Sequence, residues 1–265
     1  MARSSIAIDS DTLRRYQEPT TSDNSGFIID FEKPHQYVDV KHSQLAYWRV
    51  GSGPNLILVH GWPISSATYR NLLPYLSKHF TCHMFDLPGA GKTNAGAKAP
   101  FGLSAHAQTL LTAIRSVGIN HYALLGHDSG AAIMQILASA DKKNVSCLVM
   151  GNTETPGYHS FMMKLLLFVA KYPSLGELLF YSLRFKWLRH SILGFGGAFK
   201  DKQFIEGSFA RFFINPLIYS RKVRKNQLKF LKSFNLNDVS KLISIQKNLC
   251  MPIQLQWGSD DPFFY

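Results

Sequence analysis

At 265 residues, 46% apolar and 13% aromatic, the chain excludes a disordered polymer or a coiled coil and suits one large α/β domain or two small ones. Its formal net charge is +12, yet residues 157–250 carry 16 Lys and Arg against 4 Asp and Glu, while the rest balance at 13 of each sign. The excess therefore belongs to one segment, which shows no nucleic-acid motif, so nucleic acid is not expected as a partner.

The longest apolar stretches, such as Leu165 to Ala170, fall far short of the ~18 residues that span a bilayer. The first nine residues contain no apolar core of a secretory signal. Cys82, Cys147 and Cys250 lie in or beside apolar runs without metal-ligand spacing. They read as reduced core thiols in a cytoplasmic protein, and neither metal nor cofactor is expected.

In chain order, residues 1–26 are rich in Ser, Thr and Asp and are expected to form a flexible arm. Tyr37–Val40 and Leu45–Val50 read as a hairpin pair. Asn55–Val59 is a continuous apolar strand ending at His60-Gly61-Trp62-Pro63. A helix is expected over 66–79, a strand at Thr81–Phe85, a helix over 104–117 and a strand at Tyr122–Leu125. Ser129–Ala140 reads as a helix and Ser146–Met150 as a strand. From about 155 to 248 the pattern is mostly helical and basic, and Pro252–Trp257 returns to strand. Such alternation predicts a mainly parallel sheet with helices on both faces. The expected division is 27–156 for the first part of the core, 157–248 for a helical lid, and 249–265 for an incomplete second part of the core.

Asp86-Leu-Pro-Gly-Ala-Gly-Lys-Thr93 ends like a phosphate-binding loop, but Asp86 stands where the first glycine is required. A carboxylate there repels phosphate, so a tight loop after a strand is expected instead. The informative motif is Gly126-His127-Asp128-Ser129-Gly130, where a strand ends and a helix begins at once. The G-x-nucleophile-x-G pattern puts Asp128, not Ser129, at the apex of a sharp elbow. The plainer account is a helix-capping aspartate. The loop after Asn55–Val59 can face Asp128, so the backbone N–H groups of Trp62 and Ser129 could form an oxyanion hole. Asp261, after the last strand, offers a carboxylate to orient a histidine, and Glu154 is the alternative acid.

From about Tyr37 onward, the chain resembles the α/β-hydrolase fold family, and within it the haloalkane dehalogenase and epoxide hydrolase branch. The resemblance rests on His60-Gly61-Trp62-Pro63, Asp86-Leu87-Pro88-Gly89-Ala90-Gly91 and Gly126-His127-Asp128-Ser129-Gly130, in that order and spacing. It implies that the basic helical segment is a cap over the nucleophile. It further implies that Asp128 attacks an electrophilic carbon bearing halide or epoxide oxygen, giving a covalent ester that a histidine-activated water hydrolyses. The family's histidine lies beyond the acid, whereas all ten histidines here precede Asp261, the last being His190. The chain thus resembles a carboxyl-terminally truncated member.

Dehalogenases commonly hold the halide with a Trp after the nucleophile and an Asn after His-Gly, positions occupied here by Ser129 and Trp62. Epoxide hydrolases use two cap tyrosines as proton donors, for which Tyr172, Tyr181 and Tyr219 are available. The reading leans to an epoxide and expects a small apolar organic substrate. A non-catalytic hydrolase-like binding protein or a gene fragment is the alternative. The basic segment reads first as a solvated face, with weak contact to an anionic membrane surface left open. The oligomeric state is undetermined.

Overall fold

A computed structural model describes residues 29–158 and 160–264, so the expected arm at 1–26 lies outside the described residues. Strands β1 (Gln36–Val40) and β2 (Ser43–Val50) form the expected hairpin, with Val38 opposite Leu45. The central strands are β3 (Asn55–Val59), β4 (Thr81–Phe85), β6 (Tyr122–Gly126) and β7 (Val145–Gly151). A two-residue strand, β5 (Asn94–Ala95), pairs with β2, and β8 (Ile253–Gln256) comes last. The order across the sheet is β1-β2-β4-β3-β6-β7-β8. Pairs from β4 to β8 along this order are parallel, and those involving β2 are antiparallel.

This order positions the site. From β3 the chain crosses to β4 on one side, then returns to place β6 on the other. The connections leaving β3 and β6 therefore diverge, and a crevice opens at their carboxyl ends. Residues 60–62 and 127–128 both lie in that crevice.

Helix α1 (Leu73–Leu76) is shorter than expected. The sequence predicts a helix over 66–79, but the structure has a 3₁₀ turn at Ser66–Tyr69 followed by this four-residue helix. Pro74 sits at the new helix start, where its missing N–H costs least, and it could not have continued an older helix. Helices α2 (Leu103–Ser116) and α3 (Ser129–Ala140) match the expected positions within a residue. On α2, Leu103, Ala107, Leu110, Leu111 and Ile114 repeat at helical spacing and are buried. The small residues Ala131, Ala132 and Ala138 let α3 pack closely in the same core. Each fully buried leucine or isoleucine contributes ~1.5–3 kcal/mol relative to exposure.

The basic segment contains α4 (Phe161–Ala170), α5 (Pro173–Ser182), α6 (Lys186–Arg189), α7 (Asn215–Tyr219), α8 (Arg221–Ser233) and α9 (Leu236–Lys247). Ser160 caps α4, Ser220 caps α8 and Asn235 caps α9 through side-chain oxygens. Gly176 faces Leu228: an added Cβ would lie 2.4 Å from the leucine methyl, so α5 and α8 approach as closely as they do because no side chain intervenes. Residues 31–265 form one compact unit. No helix among the described residues is long and apolar enough to cross a membrane. Of the three cysteines expected in the core, Cys82 is buried and Cys147 half-buried, but Cys250 is exposed because it lies in the turn between α9 and β8.

Among the described residues, β8 pairs only with β7, and its other edge is unpaired. Leu255 is 62% exposed on it. An open edge carrying apolar side chains favours strand-to-strand association. The 265-residue protein is expected to self-associate with rising concentration, and Leu255→Lys to suppress this. Light scattering across a concentration series checks it: equal scattering from the two proteins would count against the edge as the cause.

Candidate active site

The loop after β4 folds on Asp86. Its Oδ1 accepts the Ser66 N–H at 2.8 Å and its Oδ2 the Lys92 N–H at 2.8 Å. The carboxylate that disqualifies this loop for phosphate thus ties it to the segment after β3. His60 adds a second tie: its Nε2 accepts the Leu87 N–H at 3.0 Å, which leaves Nδ1–H to donate to Gly61 O at 2.9 Å.

Between β6 and α3 the backbone turns through Asp128 at φ 54°, ψ −145°, strained for a residue with a Cβ. Close approach makes this turn workable. A Cβ on Gly61 would lie 2.5 Å from the Asp128 Cβ, and one on Gly130 would lie 2.3 Å from Val59 O. Only glycine at both places lets the two loops meet. The Asp128 N–H donates to Asn152 O at 2.6 Å, and its carbonyl accepts the Ala131 N–H at 2.9 Å.

The Asp128 carboxylate accepts hydrogen bonds from the backbone N–H groups of Trp62 and Ser129. Burial raises its pKa to about 6, and the Ser129 and Trp62 donors hold it from rising further. Glu154, on the loop after β7, is buried, and loss of water together with the charge of Asp128 pushes its pKa up to about 8. Near neutral pH the pair therefore divides: Asp128 is ionised and Glu154 keeps its proton. Thr153 Oγ1 lies 2.9 Å from Asp128 O and 3.0 Å from Glu154 Oε2, while Glu154 Oε1 has no hydrogen-bond partner. A protonated Glu154 can donate to Thr153, whose own hydrogen then points at the Asp128 carbonyl.

Asp261 lies on the same side of the sheet but is occupied. Its Oδ2 accepts from Asn152 Nδ2, and its Oδ1 accepts the N–H groups of Phe263 and Phe264 at 2.7 and 3.1 Å. Asn152 Oδ1 also accepts the Gly258 N–H at 2.9 Å, so Asn152 clamps the loop after β8 to the loop after β7.

These groups stand at one end of a cavity of about 690 Å³. Asp128, Trp62, Ser129, Glu154 and Asp261 all border it, and its other walls include Met162, Leu179, Leu183 and Phe209 from the basic helical segment. A small set of polar groups at the end of an apolar chamber suits a small apolar ligand. The three tyrosines expected as proton donors are not brought there. Tyr172, Tyr181 and Tyr219 are exposed and absent from the cavity wall, and Tyr181 instead accepts from Arg184 Nη1 at 2.7 Å. Helical phase explains Tyr181, since α5 turns Leu179, Phe180 and Leu183 to the cavity. Tyr158, not singled out from sequence, lines the wall. Its signal was its place just after the loop that carries Glu154.

One histidine, His127, reaches the cavity, and His60 lies behind it. His60 spends both ring nitrogens on backbone groups and is held below its ordinary pKa by burial. His127 lines the cavity, but burial lowers its pKa to about 4, leaving it a weak base. Among the described residues no cluster of three His, Cys, Asp or Glu side chains could hold a metal ion.

Comparison with known proteins agrees with this architecture. Residues 54–264 match the model of the α/β-hydrolase fold family. The pimeloyl-[acyl-carrier protein] methyl ester esterase of Pseudoalteromonas atlantica is 31% identical over 109 residues, 41% of this chain and 41% of that protein. Haloalkane dehalogenase 2 of Mycobacterium bovis is 27% identical over 118 residues, 44% of this chain and 41% of that enzyme. The matched region is thus less than half the length of either relative. The solved structure of the epoxide hydrolase CorEH superposes with a TM-score of 0.73 at 20% identity, covering 86% of this chain and 82% of that one. With the family model matched from β3 to beyond β8 and the same fold in the superposed structure, the chain belongs to the α/β-hydrolase fold family.

Proposed function

We propose that Asp128 is a nucleophile that opens a small apolar epoxide through a covalent ester. The observation that carries this reading is an ionisable carboxylate, not a hydroxyl, at the apex of the elbow, held on two backbone N–H groups inside an apolar cavity. A carboxylate with pKa about 6 is ionised at neutral pH and needs no base to attack carbon. One Asp128 oxygen bonds the carbon, the ring C–O bond breaks, and the released alkoxide takes a proton from a donor on the cavity wall, where Tyr158 stands. In hydrolysis of the ester, Trp62 and Ser129 N–H groups would stabilise the oxyanion that forms on the Asp128 carbonyl.

The indole groups support an epoxide over a haloalkane. Both tryptophans on the cavity wall have committed their N–H groups, Trp62 to Gln227 O at 3.3 Å and Trp257 to Phe264 O at 3.2 Å. Neither is left to hold a departing halide. Of the two candidate acids, Glu154 keeps its proton near neutral pH, whereas Asp261 is held in place by Asn152 and two backbone N–H groups, which favours Asp261 as the group that would orient a base. An ester-hydrolysing function resting on Ser129 has less support, because Ser129 is buried within the first turn of α3 and not at the apex.

Alkylation by an epoxide needs Asp128 and a proton donor, whereas ester hydrolysis needs a base, and His60 and His127 are poor ones. General-base help is worth ~10²–10⁴-fold. The 265-residue protein is therefore expected to accumulate adduct. After incubation with styrene oxide, intact mass spectrometry should show a gain of the whole epoxide mass on the Asp128 peptide, and Asp128→Asn should show none. A bromoalkane adduct would add only the alkyl group, so the mass identifies the class. Labelling that persists in Asp128→Asn would overturn the assignment, and steady turnover by the 265-residue protein would overturn the expected stall.

The pKa of Asp128 sets the pH response. Labelling rate should be near its plateau at pH 7 and fall about tenfold by pH 5 as the carboxylate takes up its proton. Flat labelling across this range would show that ionisation of Asp128 does not control the step.

Glu154 makes a separate prediction. Its folded pKa of about 8 lies above the ordinary 4.5, so the folded state is favoured below pH 4.5 and loses stability as pH rises towards 8. Glu154→Gln has no charge to bury. Its unfolding free energy, from denaturant melts, should exceed that of the unmodified protein by a margin that is small at pH 4.5 and grows to pH 8, on the order of a few kcal/mol at most. A pH-independent difference would remove the buried-charge account.

A further inference from the structure

Helix α5 has two apolar faces. Leu179, Phe180 and Leu183 turn inward and line the cavity. On the outer side, Leu175, Leu178 and Tyr181 are exposed, and the run continues beyond the helix through Phe185 to Trp187, which is 72% exposed. Tyr172, just before the helix, adds a further exposed ring. A helix that needed only to cover the cavity would carry polar residues on its outer side.

The cations around this face follow a pattern. Lys171, Arg184 and Lys186 are interleaved with the apolar side chains and exposed. Arg184 lies 5.2 Å from the Tyr181 ring and 4.9 Å from the Phe185 ring, and Phe185 stacks on Trp187 at 6.5 Å. The four acids of residues 157–250 are already engaged within the segment. Glu177 pairs with Arg221, Glu206 with Arg189 and His190, Asp238 with Lys241, and Asp201 caps a 3₁₀ turn. The segment therefore presents a large unneutralised positive charge, while the rest of the chain balances to zero.

From this we infer that the outer face of α5 and α6 docks the protein onto an anionic lipid bilayer. Tyr172, Tyr181 and Trp187 suit the headgroup level, where an aromatic ring meets both water and hydrocarbon. Leu175, Leu178 and Phe185 supply the apolar insertion, and Lys171, Arg184 and Lys186 meet the lipid phosphates and carboxylates. An anionic bilayer satisfies both chemistries over one continuous surface. Ile192 and Leu193, exposed and also on the cavity wall, place the rim of the chamber near this face in sequence. Docking does not depend on the proposed epoxide chemistry.

The test is vesicle flotation of the full 265-residue protein with phosphatidylcholine alone and with a phosphatidylcholine–phosphatidylserine mixture. Expected is binding to the mixed vesicles, little to phosphatidylcholine, and loss of binding as salt is raised. Trp187→Ala, and separately the double reversal Arg184→Glu with Lys186→Glu, should each weaken binding about tenfold or more. Circular dichroism should show these variants folded like the parent. A control reversal on the other part of the chain, Lys142→Glu with Lys143→Glu, should bind within about twofold of the parent, since its charge change is equal but lies off this face. Asp128→Asn should bind like the parent, which separates failure of docking from failure of the proposed chemistry. No binding to the mixed vesicles, equal weakening by the control reversal, or a solution dimer that Trp187→Ala dissolves without vesicles would overturn the inference.

Discussion

Placing one ionised carboxylate in an apolar chamber is the constraint on which the other features of this protein depend. Water stabilises a carboxylate strongly, and removing it drives the group to take up a proton. The Trp62 and Ser129 N–H groups replace part of that water, but they reach Asp128 only if the loop after β3 and the elbow after β6 touch. That contact requires Gly61 and Gly130. It also requires β3 and β6 to be sheet neighbours with diverging connections, which the strand order provides. His60 and Asp86 hold the β3 loop from behind by binding backbone N–H groups of neighbouring segments. A strained φ at Asp128 is thus sustained by bonds on every side.

A second carboxyl so near the first would defeat this arrangement if both were charged. Glu154 resolves the conflict by remaining protonated through neutral pH, which lets Asp128 ionise alone. Asp261 is held in place by Asn152 and two backbone N–H groups. Three carboxyl groups can therefore share one sheet edge because each is stabilised differently. One is held on donors and ionised, one is neutral, and one is hydrogen-bonded through both oxygens.

The core and the elbow were legible in sequence because both leave short-range signatures. Asn55–Val59 is apolar at nearly every position because the strand is buried on both faces, and β3 has those same bounds. Gly126 and Gly130 around Asp128 mark a turn that few other sequences tolerate. Less was legible where geometry depends on distant partners. The helix over 66–79 broke because Pro74 lacks an amide hydrogen, a local signal that the apolar spacing concealed. Tyr181 carries no mark in sequence of facing outward, since that depends on how α5 rotates against α8. Gly176 fixes this rotation by admitting Leu228, a contact between residues 52 apart. Tyr158 and the buried Glu154 depend likewise on where the loop after β7 meets the helical segment.

The same rotation accounts for the two faces of α5. With Gly176 against α8, the helix can bury only one narrow side, and its remaining side chains divide between the cavity and the exterior. Leu179 and Leu183 line the chamber. Leu175 and Leu178, a turn or less away, are left outside. The wall of the chamber is thus a single helix thick. Burying the outer leucines against another layer of protein would satisfy them, but among the described residues no such layer is present. Basic side chains around the outer stripe keep it from being merely sticky, because like charges resist pairing of two copies face to face. Apolar side chains attract any dry surface, whereas a positive border selects a negatively charged one. The fold that shields the carboxylate therefore also determines which residues of α5 remain outside and the sign of the charge that surrounds them.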